Sequence, residues 1–520
     1  MGGNMIADEV LVSTGIYDSV SKEPYAGYVV IKGDSILEVG RGEIPDKYKE
    51  PSIPVHDYGD ATICAGFGDT HTFFTGFIID NLGVDLSGTK NLEALGDIVR
   101  KALAQKEVKA VFGNHLCPEL AKESRTEALL NEVSPDIPVV LFVPGHGTCA
   151  MNQKAREEFG FSPQACYAEA LYKIMGIYLN DRTFVDDQLT AYMHMMNSRG
   201  VTSVKEMGFD DFYGFTDVLK EFDEEKKLSL RISFMSQPVG APANMEYGKK
   251  MREKFQSEFV RFSGFNQMTD GLILAKQGHL VEPYEGTATV CEKDIDYDSI
   301  EREVLLADEN GFRFTLHAEG DGAFRRILDI YEKCRRNEDG SLQNRHGITD
   351  LELTMPEDEE RMAALNAFGE IYAQVYALDT YEGYVEAYKE AVGKRQERYL
   401  NYRSLKDHGV RLCGATDLPL LIPSIPESIY YGCANYGMDR QKRINPENGL
   451  TIAEMLDAWT INSQYAMQRE DILGTLEAGK RADIVIFTGD LFRTPVEDIL
   501  EIEVERTMVN GQEVYNRSKS

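Results

Sequence analysis

Few residues in this chain have the type and spacing to do chemistry, and the first of them lie close together. Ala61 to Phe74 reads ATICAGFGDTHTFF: a short apolar, β-branched run passes through Gly66 and Gly68 and presents Asp69 and His71 at its end. A strand that delivers a His at its C-terminal end is how a (β/α)8 barrel starts a metal site, because a neutral imidazole is a ready ligand for a divalent cation. The same stretch also reads as a buried strand with one hydrogen-bonded His. Further along, His146 follows the apolar run Val139 to Val143, Lys205 closes Thr202 to Lys205, His317 closes Phe312 to His317, and Asp417 follows Val410 to Cys413 within ATDLP. Metal-assisted hydrolysis needs imidazoles and carboxylates converging on one cation with a position left for water. It also needs a base that takes the water's proton and passes it to the leaving nitrogen. Of the 9 His, His56, His194, His346 and His408 sit in polar or helical contexts without a partner pattern and read as surface or structural; His115 and His279 are ambiguous.

The elements that must position these residues follow from local pattern. Residues 6 to 60 read as β: Glu9 to Ser13 is a strand, and Tyr28 to Lys32 meets Ser35 to Val39 across Gly33-Asp34, where Gly supplies φ > 0. Residues 481 to 516 read alike, with Ala482 to Phe487 as a strand and Val504 to Val509 meeting Gln512 to Tyr515 across Asn510-Gly511. Two β segments too short to fold alone, at opposite termini, most simply pair into one small sandwich, 1–60 plus 475–520. Between them, over 61–474, strands alternate with helices: Ala110 to Gly113, Val139 to Val143, Thr202 to Lys205, Leu230 to Met235, Phe312 to His317 and Val410 to Cys413. That is the βα pattern of a parallel barrel. Thr451 opens a helix with Glu454 three residues on, a capping box. Two acidic, helix-rich stretches, about 81–131 and about 376–402, read as insertions of the kind that cover a barrel's active site.

Composition narrows the partners. The chain has 520 residues and 42% apolar content, enough for a large core, and a net charge of −31 that disfavours nucleic acid and anionic membranes. Its 8 Cys show no CxxC and no paired spacing, which suits reduced thiols in the cytoplasm rather than a disulfide frame. MGGNMIADEV has neither a basic region nor an apolar core, so no signal peptide is expected, and no apolar run approaches the ~20 residues of a membrane span. The expected partner is a small-molecule substrate, with a homodimer left open.

Seven short motifs in register carry a resemblance. They are AGFGDTHTF, PGHGTCAMN from Pro144 to Asn152, GVTSV from Gly200 to Val204, NQMTDG from Asn266 to Gly271, HAEGD from His317 to Asp321, GITD from Gly347 to Asp350, and GATDLP from Gly414 to Pro419. In this order the chain resembles the amidohydrolase superfamily, in the branch of the N-substituted formamide deformylase-like metal-dependent hydrolases (amidohydrolase 3 type). The resemblance implies a (β/α)8 TIM barrel with a small composite β-sandwich domain formed by both termini.

It also implies a metal site, and the departures from the family pattern fall on the ligands. In two-metal relatives the site uses two His in HxH, a carboxylated Lys, two later His and an Asp. Carried over, the first His is His71 and the second is replaced by Phe73. The Lys falls on Asn266, the third His is His317, the last His falls on Asp350, and the Asp is Asp417. Phe73 cannot ligate and Asn266 cannot carry a carbamate, so at most one divalent ion, zinc, is expected, on His71, His317, Asp350 and Asp417; a metal-free site is the other reading. Asp417 is the expected base. Lys205, at a predicted strand end, either restores positive charge and polarises a carbonyl or pairs with Glu206 or Asp210. His146, Phe73, Asn266 and Glu319 are expected to face substrate. The implied activity is hydrolysis of a non-peptide C–N bond (amide, N-acyl or cyclic amide). A lyase, decarboxylase or isomerase on the same barrel, or a binding or regulatory relative, is the alternative.

Overall fold

The computed structural model describes residues 6–105, 108–144, 148–160, 163, 181–207, 214–238, 241–417 and 424–519. Its centre is an eight-stranded parallel sheet in which every strand pairs with the next in sequence: Phe67–Thr72, Val201–Glu206, Arg231–Ser236, Val260–Gln267, Phe314–Ala318, Gly347–Asp350, Phe368–Ile371 and Arg411–Gly414. These are called the first to eighth barrel strands below. The eighth returns to the first: Asp417 N donates to His71 O at 2.8 Å and Thr70 Oγ1 donates to Gly414 O at 3.0 Å. The first three strands are buried along their whole length, on both faces. Helices cover the outside and side chains fill the inside, so these strands are buried on both faces although their sequences, FGDTHT, VTSVKE and RISFMS, mix apolar with polar and charged residues. Gly68 is required by packing: a Cβ there would stand 2.5 Å from Met467 Cε and 2.8 Å from Ser463 Cβ, and its absence lets the helix Ile461–Ala466 close on the first strand.

Both ends of the chain feed a second eight-stranded sheet. Strands Glu9–Ile16, Tyr25–Lys32, Ser35–Arg41, Val55–Asp57 and Thr62–Ala65 join Ile484–Phe487, Val504–Val509 and Gln512–Asn516, with Ile484 paired to Ala65. Alternation sorts the side chains: Leu11, Val29, Ile31 and Ile484 form one apolar cluster, and Val10, Tyr28 and Val30 another. The sheet is fastened to the barrel by a buried ion pair. Arg231 of the third barrel strand donates Nε and Nη2 to the two oxygens of Asp483, each at 3.0 Å, and Nη1 to Glu258 at 2.8 Å.

Two of the expected barrel strands lie elsewhere. Val111–Asn114 and Val139–Phe142 sit with Val84–Asp85 and Cys149–Met151 in a separate four-stranded sheet, inserted between the first and second barrel strands and backed by the helices Leu92–Leu103 and Ser124–Val133. A short, fully buried apolar strand reads the same whichever sheet takes it. The barrel strands the pattern left unmarked were Val260–Gln267, Gly347–Asp350 and Phe368–Ile371; each carries Gly or charged residues inside the run, which hides it. The stretch 373–398 is helical, with Tyr381–Val392 as its main helix, and lies between the seventh and eighth barrel strands.

Candidate active site

The C-terminal ends of the barrel strands assemble the site, and Asp69 holds its first corner. Fully buried, Asp69 accepts the backbone N–H of His71 at 3.2 Å and that of Thr416 at 3.1 Å on Oδ1, and the Thr416 hydroxyl at 2.6 Å on Oδ2. This clamp ties the first strand to the eighth and brings Asp417 beside His71, with Asp417 Oδ1 3.9 Å from His71 Nε2. Burial pushes the Asp69 carboxyl up to about 7 in spite of these bonds. Asp417 has a left-handed backbone, φ 51°, and Asp350 has φ 74°, conformations that L side chains rarely adopt. Such strain is tolerated where the surrounding structure over-determines it, often at functional sites.

Beneath His71 lies a buried ionic chain. His71 Nδ1 is 3.0 Å from Glu370 Oε2, and Glu370 Oε1 is ion-paired to Lys205 Nζ. Glu370 and Lys205 are both wholly buried. Burial raises the Glu370 carboxyl, but Lys205 and His71 outweigh it and hold it low; burial depresses the Lys205 ammonium against the pull of Glu370. The Lys205 ammonium also lies 3.4 Å from Thr315 Oγ1 and from Met235 Sδ, and 5.4 Å from the centre of the Phe368 ring. With Nδ1 engaged by the carboxylate, His71 turns Nε2 toward Asp417 and the mouth.

His317 forms the second corner. Its Nε2 stands 3.3 Å from Asp350 Oδ2 and 3.5 Å from Glu319 Oε1. Its buried Nδ1 lies 3.3 Å from Asp270 Oδ1, off the line of a good hydrogen bond. Asp270 is itself occupied by the backbone N–H groups of His279, Glu319 and Gly320, at 2.9, 3.0 and 2.9 Å. Burial lowers the His317 imidazole, yet Asp350, Asp270 and Glu319 together raise it well above the usual histidine value. Asp350 is pushed up to about 7 by burial, with His317 opposing and Asp417 and Glu319 adding. Burial raises Asp417 too, against His71 and His317.

The remaining candidates divide. Phe73 is half-buried and meets the His71 ring edge-on at 5.6 Å, whereas Phe74 and Phe77 pack on Tyr192 and belong to the core. Asn266 donates Nδ2 to Gln237 at 2.9 Å and leaves a buried Oδ1 unpartnered. It pairs with Thr315, whose hydroxyl reaches Lys205 inside the barrel, so Asn266 also faces the interior. Glu319 accepts the N–H of Ile273 at 2.9 Å on the oxygen not facing His317. His146 and Asp210 lie outside the described residues. His279 bonds Tyr297 at 2.7 Å; His56, His115 and His408 sit beside carboxylates away from the mouth. Glu370 was missed from sequence, although a Glu inside the apolar run Phe368–Ile371 is the kind of misfit that marks a buried functional charge.

The family model for the amidohydrolase family matches residues 55–515. The chain belongs to the amidohydrolase family. The putative amidohydrolase YtcJ of Bacillus subtilis (strain 168) is 22% identical over 94% of this chain and 95% of its own length. The N-substituted formamide deformylase of Arthrobacter pascens is 29% identical over 42% of this chain and 39% of its own. An uncharacterized metal-dependent hydrolase from Pyrococcus horikoshii OT3 superposes with a TM-score of 0.74, at 20% identity, over 94% of this chain and 99% of that one.

Amidohydrolases are generally metal-dependent, so the mouth of this one has to be tested as a donor set. Two imidazoles and two carboxylates, with no Lys or Arg bonded to either carboxylate among the described residues, are donor types a divalent cation takes, but they stand as two separate pairs and no three of their ligand atoms lie within 4.8 Å of one another. Burial is the main cause of the raised Asp350 and Asp417 carboxyls, and the nitrogen His317 turns to Asp350 and Glu319 is Nε2, while Nδ1 faces Asp270. Among the described residues, the one group of His, Cys, Asp and Glu with ligand atoms all within 4.8 Å lies elsewhere: Asp308, Cys334 and His346. There His346 Nδ1 accepts the N–H of Phe314 at 2.9 Å, and Nε2 is 3.1 Å from Asp308, which also takes Asn344 at 2.6 Å and Arg335 N at 2.9 Å. The His346 nitrogens and the Asp308 oxygens are thus engaged by the protein, while the Cys334 thiol makes only a 3.8 Å contact to Ile330 O, so a cation here would have to displace existing bonds.

Proposed function

We propose that this amidohydrolase hydrolyses a non-peptide C–N bond of a small molecule (an amide, N-acyl or cyclic amide), using one divalent cation, zinc, held by His71, His317, Asp350 and Asp417. The observation that carries the reading is the pairing of His71 with Asp417 and of His317 with Asp350 at the ends of four barrel strands, both pairs facing the mouth. A cation there would supply Lewis acidity and lower the pKa of bound water. Asp417 acts as the base: it takes the proton of the attacking water and returns it to the leaving nitrogen. Glu370 keeps His71 in the tautomer that leaves Nε2 free, as carboxylate partners of ligating histidines commonly do. Lys205 acts through Glu370 rather than on the substrate, since it is wholly buried beneath it. Phe73 lines an apolar side of the pocket, and Asn266, Glu319 and His146 offer polar contacts to the substrate.

The test is elemental analysis of protein purified without chelator, followed by a screen of N-acyl amino acids and cyclic amides. One equivalent of metal with turnover of a C–N substrate is expected. Two equivalents would overturn the single-ion site, and turnover that survives complete metal removal would overturn the metal-assisted reaction.

A further inference from the structure

The two pairs at the mouth, His71 with Asp417 and His317 with Asp350, are bridged by Tyr372. This residue directly follows the seventh barrel strand, two positions beyond Glu370. Alternate positions of an extended chain face the same way. Glu370 meets His71 Nδ1 at 3.0 Å, and the Tyr372 ring stands edge-on to the same imidazole, with 5.8 Å between ring centres and 85° between planes. One short segment therefore holds His71 twice, with a carboxylate on one nitrogen and a ring at its side.

The Tyr372 hydroxyl serves the other pair. It lies 2.5 Å from Thr349 Oγ1, and Thr349 donates to Asp350 Oδ2 at 3.3 Å. A threonine hydroxyl has one proton to give, and an ionised carboxylate only accepts. With the Thr349 proton on Asp350, the Tyr372 phenol is the donor of the shorter bond. The chain thus runs from Tyr372 through Thr349 to Asp350, and its first two members are buried, at 6% and 1% exposure. Thr349 is placed for this by register, opposite His317 in the fifth strand and Glu370 in the seventh. The oxygen it holds is the one that faces His317 Nε2, at 3.3 Å. Support is needed here because the backbone is strained: Asp350 and the next residue, Leu351, both have left-handed φ, 74° and 56°. Such conformations persist where neighbouring groups over-determine them. The Leu351 N–H donates to Ala318 O and the Leu353 N–H to Glu319 O, each at 2.9 Å, and the hydroxyl chain fixes the side chain between them.

We propose that Tyr372 is a positioning residue that sets both pairs at once: its ring orients His71, and its hydroxyl, through Thr349, orients Asp350. It acts through these residues and not on the substrate. Its consequence for turnover rests on the hydrolytic function proposed above; its effect on the two histidines does not.

Nitrogen-15 NMR of the histidine imidazoles in the full chain tests this, with signals assigned by His71→Gln and His317→Gln. Tyr372→Phe keeps the ring and loses the hydroxyl, so the His317 signals are expected to move while those of His71 stay. Thr349→Val cuts the same chain and is expected to reproduce that change. The double variant should add nothing to T349V, because members of one hydrogen-bond chain are coupled. Tyr372→Leu removes the ring as well and should move His71 too. The NMR readout needs neither metal nor substrate, so it decides the matter even should the protein hydrolyse no C–N bond. On a hydrolysed substrate, Y372F is expected to lower kcat by roughly 10–100-fold, the usual effect of losing such a supporting partner, with KM nearly unchanged. Unmoved His317 signals in Y372F would overturn the proposal. So would equal movement of His71 and His317 in that variant, effects of Y372F and T349V that simply add, or a wild-type kcat in Y372F.

Discussion

Two buried histidines stand at opposite ends of the barrel, each beside carboxylates, and they differ in how their nitrogens are used. His317 closes the fifth barrel strand; its Nδ1 has no good partner, and three acids raise it well above the usual histidine value. His346 precedes the sixth strand at the base; both nitrogens are satisfied, and burial, outweighing Asp308, holds it below the ordinary 6.5. The same residue type therefore turns one nitrogen, Nε2, to the carboxylates of the mouth at one end and spends both nitrogens inside the protein at the other. Burial and nearby acids do not distinguish a functional histidine from a structural one. The direction of the free nitrogen does: Nε2 of His317 opens on the mouth beside Asp350 and Glu319, whereas both nitrogens of His346 end on Phe314 N–H and Asp308.

Breaking the mouth is expected to abolish chemistry and spare the fold. Asp417→Asn keeps size and removes the proposed base, so turnover should fall at least ~10²-fold, with a nearly unchanged Tm; near wild-type turnover would remove Asp417 from the mechanism. Glu370→Gln should loosen His71 and weaken metal binding by roughly 10–100-fold, the usual effect of losing such a partner, read by competition with a chelator. Unaltered metal affinity would make the buried chain from His71 to Lys205 purely structural.

Breaking the base should do the reverse. His346→Ala leaves the Phe314 N–H without its acceptor and should cost about 1–3 kcal/mol of stability in urea unfolding, with metal content unchanged. Metal loss in that variant would show that the Asp308, Cys334 and His346 cluster holds an ion after all. The smallest effect is on pH dependence. Because folding depresses the His346 pKa below 6.5, the unfolded chain takes up a proton that the folded chain refuses. Its stabilising contribution is complete above that value and is lost as pH falls through it. Asp308 adds a loss in the same direction at lower pH: its bonds with His346, Arg335 and Asn344 outweigh burial and hold it at about 2. H346A should therefore show a flatter stability profile just below pH 6.5 than the wild type; parallel profiles would rule out His346 as the titrating group.

Much of the frame was legible in the residues. The hairpin turns at Gly33-Asp34 and Asn510-Gly511, the capping box of Thr451 and Glu454, and the strands ending in His71, Lys205 and His317 are local signals: turn chemistry, capping and apolar runs act over a few residues. The motif order was enough to point to the amidohydrolase family. What only the tertiary structure decided was partnership. Val111–Asn114 and Val139–Phe142 read as barrel strands but joined another sheet, since a short apolar strand does not encode its neighbour. Lys205 was expected to face Glu206, Asp210 or the substrate and instead pairs with Glu370, 165 residues away in the chain but adjacent inside the barrel lumen. Buried charges are settled by what lies across the barrel, and that distance is set by closure of the sheet, which no local stretch of sequence contains.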